Sequence, residues 1–232
     1  TIIGWKEDFN LSTGVVPAQK RAIEYLQKIS EHTDGMLRVG GHSKGGNFAI
    51  YAGMYCEKSL RDQIIAIYNN DGPGFSKDVV ASAAYQNLLP LITTIVPESS
   101  VVGRLFEHQE DYVVIKSENK GLKQHDAMSW EVLGNHFVHA VTPANQSLLA
   151  NQAIREWIAL IPREKRKEIV EAVFQILDAA GIETVDDFLT LKLKDIRTII
   201  QTKKKLPRET SDSISDAAFL LIKIMIKTFT ST

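Results

Sequence analysis

Four short apolar runs, each separated from the next by helix-patterned or turn-rich sequence, constrain this chain more than any other feature. They are MLRVG (Met36 to Gly40), IIAIYN (Ile64 to Asn69), LITTIV (Leu91 to Val96) and YVVIKS (Tyr112 to Ser117). Each is continuous rather than alternating, the pattern expected of strands covered on both faces. Between them lie three helical patterns. AQKRAIEYLQKIS carries Ala22, Ile23, Leu26 and Ile29 on one stripe, with Pro17 as a start signal. GGNFAIYAGMYCEK is apolar nearly all round and is expected to be central; Asp78 to Leu89 reads as a third helix, stopped by Pro90. Buried strands alternating with helices predict an α/β fold with a mostly parallel sheet flanked by helices.

The character changes after about residue 145. Asn145 to Ile161, Arg163 to Ala180 and Ser211 to Lys227 all read as helices, and strand patterns cease. Ile169, Val170, Val173, Phe174 and Leu177 form one apolar face, and Gly181 sits where a C-cap glycine belongs. The predicted organisation is an α/β domain over 1–144 and a helical C-terminal extension over 145–232.

With 27 basic and 28 acidic residues the net charge is −1, which gives no electrostatic reason to expect nucleic acid. The run Lys203 to Lys205, followed by Leu206 and Pro207, reads as a solvated loop rather than a binding patch. A single cysteine, Cys56, excludes an intramolecular disulfide and a Cys-rich zinc site, and its apolar setting predicts a buried, inert thiol. No apolar stretch reaches the length of about 18 residues that spans a bilayer, so no transmembrane segment is expected. A cytoplasmic location is the default expectation, since no signal peptide is visible in a sequence that opens TIIGWKEDF without Met.

The segment with chemical content is Gly41-His42-Ser43-Lys44-Gly45, a G-x-S-x-G match extended by Gly46. A predicted strand runs into it and a small-residue helix runs out of it, the setting of a nucleophile elbow. Serine on so tight a turn takes up strained dihedrals, and side chains at the flanking glycines are expected to collide with the neighbouring helix and strand. Such a turn lifts Oγ above the sheet's C-terminal edge and aims the next helix N-terminus at a developing oxyanion.

GGHSKGGNFAIYA resembles the GHSxGG elbow of lipase class 3-type α/β-hydrolases. GWKEDFN, VPAQ, GHSKGGN, NNDGPGF and QHDAMSW together resemble a bacterial subgroup of lipase-like hydrolases, over roughly Gly4 to Trp130. The resemblance implies an α/β-hydrolase-like domain and serine-dependent hydrolysis of a small-molecule or lipid ester. It implies neither metal nor organic cofactor.

A serine nucleophile needs a base, and the base an orienting carboxylate, in the chain order Ser, Asp or Glu, His. His32 and His42 fail on order, and His42 is expected to support the elbow. His108 precedes the fourth strand, whereas His125 follows it in ENKGLKQHDAMSW, where the base belongs. His136 and His139 have helical metal spacing but no accompanying carboxylates. For the acid, Asp71 directly follows IIAIYNN and opens the turn DGPGF. Some lipases that this chain resembles carry their acid in such a turn. Others carry it one strand later, where aligning Arg104 and Leu105 puts Ser100 in the acid's place. That departure leaves Asp71, Glu98 or a damaged triad. Asp71 is the favoured acid, against a plain Asx-turn cap, and Asp126 is expected to be solvated.

One oxyanion donor is expected from the backbone N–H of Lys44, the residue after the nucleophile. In the relatives that this chain resembles, the second comes from a strand just upstream of the GWKEDF-like segment, and the sequence here is expected to begin after that strand. The Lys44 amine is expected in solvent. Trp5, Tyr55 and Phe75 are candidate acyl-pocket walls, with core packing the plainer expectation. The apolar helix AAFLLIKIMIKTF admits packing, a lid or a homo-oligomer contact, of which packing is expected. The reading is a lipase- or esterase-like hydrolase using Ser43, His125 and Asp71. The alternatives are a thioesterase, peptidase or acyltransferase with the same residues, or a non-catalytic binding module.

Overall fold

A computed structural model describes residues 11, 14–140, 145–184, 187 and 190–230. They form two compact units, one spanning Val15–Gln152 and a helical one from Ala153 onward. GWKEDFN, Trp5 included, lies outside the described residues.

The first unit is built on four parallel strands in the order β1 (Leu37–His42), β2 (Ile64–Asn70), β3 (Ile92–Pro97) and β4 (Tyr112–Ile115). Helix α1 (Pro17–Ser30) precedes the sheet. Helices α2 (Lys44–Tyr55) and α3 (Lys58–Arg61) connect β1 to β2, and α4 (Lys77–Val80) and α5 (Ala83–Leu88) connect β2 to β3. The α/β class and the parallel sheet are as the sequence predicts. The expectation of strands buried on both faces holds along β3, where all but Thr93 are buried. It fails for β1, which alternates half-buried and exposed positions because, among the described residues, its ladder partner is β2 alone.

The main core joins α1, α2 and α5 to the sheet through Leu26, Ile50, Met54, Ile64, Ile67, Tyr85, Leu88 and Ile92. Helix α2 is as central as its composition predicts, with Ile50, Ala52 and Met54 buried, and Cys56 buried just beyond it. The single helix predicted over Asp78 to Leu89 is in fact two, α4 and α5. Ser82 breaks it by capping α5, its Oγ accepting the Tyr85 N–H at 3.3 Å, and Pro90 lies in a 3₁₀ turn. A second apolar cluster of Ile95, Ile115 and Trp130 underlies a small hairpin of β5 (Val132–Leu133) and β6 (His136–Phe137).

After α6 (Asn145–Leu160) come α7 (Arg163–Ala179), α8 (Leu193–Lys205) and α9 (Arg208–Thr230). The predicted apolar face of α7 serves two clusters. Val170 and Phe174 pack with Ile182 and Ile199, and Ile169 and Val173 with Ile161, Trp157 and Ala217. Gly181 (φ +70°) ends α7 in the left-handed conformation, as predicted. The lysine run does not form a loop. Lys203 to Lys205 are the last turn of α8, where cations suit the negative end of the helix dipole. Among the described residues no helix is long and apolar enough to cross a membrane.

Candidate active site

The site lies along the C-terminal edge of the parallel sheet, the usual ligand side of such sheets. Each strand end delivers one part. Ser43 follows β1, Asp71 follows β2, Ser100 lies in the turn after β3, and His125 lies in the loop after β4.

Ser43 stands between β1 and α2 with φ 58° and ψ −137°, and its N–H donates to Asn70 O at 2.9 Å. Asp71 also has a positive φ, 53°. Each such departure for a non-glycine residue costs on the order of 1–3 kcal/mol and persists only where the surroundings enforce it. Two neighbours of Ser43 explain how α2 comes so close. A Cβ on Gly41 would lie 2.3 Å from the Gly45 carbonyl carbon, and one on Gly46 would lie 1.9 Å from Asn69 Oδ1. The expected collision does not extend to Gly45, where a Cβ would meet nothing within 4 Å.

The structure brings the three predicted residues into one hydrogen-bonded chain. His125 Nδ1 donates to Asp71 Oδ2 at 2.7 Å, and Ser43 Oγ donates to His125 Nε2 at 2.9 Å. This fixes the tautomer, because a carboxylate can only accept at Nδ1, leaving Nε2 as the acceptor. The Asp71 side chain is 1% exposed and that of His125 is 25% exposed, so the chain runs from the interior toward an accessible edge.

Asp71 is itself held. Its Oδ1 accepts from Ser100 Oγ and from the Gly103 N–H at 3.2 Å. The residue that replaces an acid in the lipase alignment is thus a donor to Asp71 after the adjacent strand. Glu98, the alternative acid, ends the β3 ladder with its N–H on Ile115 O at 3.0 Å, and the carboxylate at His125 is that of Asp71. The turn-capping role expected of Asp71 falls instead to Asn69, whose Oδ1 accepts the Gly72 N–H three residues on at 3.0 Å. That leaves the Asp71 carboxylate free to face His125.

His42 and Gln124 secure the His125 loop. His42 Nε2 donates to His125 O at 2.7 Å, and its ring lies 4.8 Å from that of His125 and 6.0 Å from that of Trp130. Its pKa is lowered, first by burial of the ring and then by the His125 charge. Buried Gln124 accepts from the Ser99 N–H at 2.8 Å and donates to Asn119 O at 2.9 Å, tying this loop to the turn after β3. Trp130 Nε1 donates to Gln124 O at 2.9 Å. Exposed Asp126 caps a 3₁₀ turn, accepting the Met128 N–H at 3.0 Å.

Next to the DGPGF turn lies a polar cluster that the sequence did not disclose. Glu110 accepts from Tyr85 Oη at 2.5 Å, from Thr94 Oγ1 and from His108 Nδ1 at 3.0 Å. Burial pushes Glu110 up, but the His108 hydrogen bond and charge, with the two hydroxyls, outweigh it and bring the pKa to about 2. The cluster supports DGPGF, since Phe75 and Glu107 exchange backbone hydrogen bonds at 3.0 and 2.9 Å. Buried Asn47 holds the same turn from α2, donating to Pro73 O at 3.1 Å and Gly74 O at 2.8 Å.

The remaining expectations fall elsewhere. Lys44 opens α2 and is half-buried, Phe75 is core against Tyr85, and Tyr55 is exposed. His136 opens β6 of the hairpin and His139 lies just after it, so the two share no helix face. Among the described residues no three His, Cys, Asp or Glu cluster as a metal site requires. Asn69, Asn47 and Gln124 escaped sequence reasoning because buried amides carry no periodic pattern. The adjacent NND and GPG were the available hint.

No curated protein and no solved structure matches the chain. A family model, Mbeg1-like, matches residues 1–175, well over half of the sequence, and the chain with its Ser43, His125 and Asp71 arrangement therefore belongs to the Mbeg1-like family.

Proposed function

We propose that this protein is a serine hydrolase that cleaves carboxylic esters, with Ser43 as nucleophile, His125 as general base and acid, and Asp71 as the orienting carboxylate. The observation that carries the proposal is the continuous hydrogen-bonded chain from Ser43 Oγ through His125 to Asp71 Oδ2. In the proposed reaction Ser43 Oγ attacks the acyl carbonyl as its proton passes to His125 Nε2. The buried Asp71 carboxylate stabilises the imidazolium so formed without taking its proton. The tetrahedral oxyanion is bound by the Lys44 backbone N–H at the positive end of α2. His125 then protonates the leaving alcohol, and water, deprotonated by the same nitrogen, releases the acid from the acyl-enzyme. The lipase-like GHSKGG and NDGPGF segments support an ester as substrate.

The test is fluorophosphonate labelling of the full chain beside Ser43→Ala and His125→Ala. Labelling that vanishes in Ser43→Ala and falls at least a hundredfold in His125→Ala is expected. Wild-type protein that is folded yet unlabelled would refute the mechanism. A panel of oxygen esters, thioesters and amides then separates esterase from thioesterase and peptidase.

A further inference from the structure

Helix α8 carries an open face of unusual composition. Leu193, Ile196, Arg197, Ile200 and Lys204 recur at helical spacing and form one stripe. Leu193 is 77% exposed, Ile196 41% and Ile200 49%, whereas Ile199, one helical flank away, packs against the cluster of Val170, Phe174 and Ile182. Lys192, Lys194 and Lys205 are exposed at the edges of the stripe. Between residues 192 and 205 there are six basic residues and one acid, Asp195. That acid is turned to the helix start, where it accepts the Lys192 N–H at 2.9 Å. The rest of 151–232 holds eight basic and eleven acidic residues, so the cations are concentrated on α8 rather than shared by the unit.

We infer that this face of α8 is a docking surface for an anionic phospholipid bilayer. Leu193, Ile196 and Ile200 would enter the boundary of headgroups and acyl chains, with Arg197 and the lysines reaching headgroup phosphates. Charge complementarity selects an anionic partner, and the apolar side chains select lipid among anionic partners. A nucleic-acid backbone rewards the cations but gains nothing from exposed leucine and isoleucine beside them. None of these residues belongs to the Ser43 site, and binding is measured without turnover, so this inference and the hydrolase reading fail separately.

The test is co-sedimentation of the full chain with equimolar phosphatidylglycerol–phosphatidylcholine vesicles and with phosphatidylcholine vesicles alone. Binding to the anionic vesicles is expected, weakening as salt is raised. Each cation removed on the face costs about fivefold, so Arg197→Gln with Lys204→Gln lowers binding about 25-fold. Leu193→Ser with Ile200→Ser lowers it by at least on the order of tenfold at unchanged charge. All four positions are exposed, and circular dichroism of each double variant verifies the fold. Equal binding to both vesicle types, or unchanged binding in either double variant, overturns the inference. So does binding to duplex DNA in preference to vesicles, which would identify the surface as one for nucleic acid.

Discussion

Ser100→Ala is the most informative single substitution, because the link from Ser100 to His125 runs through Asp71. Its Oγ donates to Asp71 Oδ1, and the Gly103 N–H at 3.2 Å is the other donor there. Removing the hydroxyl leaves a fully buried carboxylate oxygen with one long hydrogen bond. A hydrogen bond to a charged group is worth roughly 1.5–3 kcal/mol, so the midpoint of urea unfolding should fall by the equivalent of about 2 kcal/mol. The same bond fixes the plane of the carboxylate, and thereby the direction in which Oδ2 holds the His125 ring. If half of that energy, about 1 kcal/mol, is expressed in the transition state, ester turnover and fluorophosphonate labelling fall about fivefold. Because Ser100 is 2% exposed and lies behind the acid, the loss belongs in kcat with KM unchanged. Ser100→Thr keeps the hydroxyl and should recover most of the rate at some cost in packing. A folded Ser100→Ala protein that labels at the wild-type rate would refute the argument that this hydroxyl positions the acid.

Further outcomes follow from the same geometry. Asp71→Asn can present an amide N–H to His125 Nδ1, forcing the proton to Nε2, and should lower labelling by about three to four orders of magnitude with little unfolding. Gly46→Ala drives a methyl into Asn69 and its strand and should abolish soluble expression or labelling. Gly45→Ala, with open space around it, should leave labelling intact and raise thermal stability by up to about 1 kcal/mol. Glu110, held near pKa 2 against an ordinary 4.5, contributes stability that is complete above 4.5 and lost as pH falls toward 2. That contribution is roughly 3 kcal/mol. Urea midpoints measured across this acid range should therefore show a steep fall that Glu110→Gln flattens, and parallel profiles would show that Glu110 is not the group titrating.

Much of the framework was legible because it is written in local pattern. Apolar runs beside helical stripes marked the four strands to within two residues at their ends, and the glycines around Ser43 marked the turn between β1 and α2. Where a short-range rule competed with a cap, as at Ser82, the helix prediction ran across a break. The strand that proved half-exposed, β1, could not be told from β3 by composition, since burial of an edge depends on what pairs with it.

Chain order and turn chemistry put Ser43 and Asp71 at the ends of β1 and β2 and His125 in the loop after β4, and parallel pairing then had only one edge on which to gather them. The role of Ser100 was beyond reach of sequence. As a missing acid it suggested damage, and only the side-by-side register of β2 and β3 turned it into a donor for Asp71. The same holds for Asn69, which caps the turn at Gly72, and for His42, which grips the carbonyl of a residue 83 positions away. Sequence pattern determines which faces are buried and where the chain reverses, because those depend on neighbours three or four residues apart. Which polar atom satisfies which other is decided by tertiary structure, because hydrogen-bond partners across a sheet edge are set by register and distance in space.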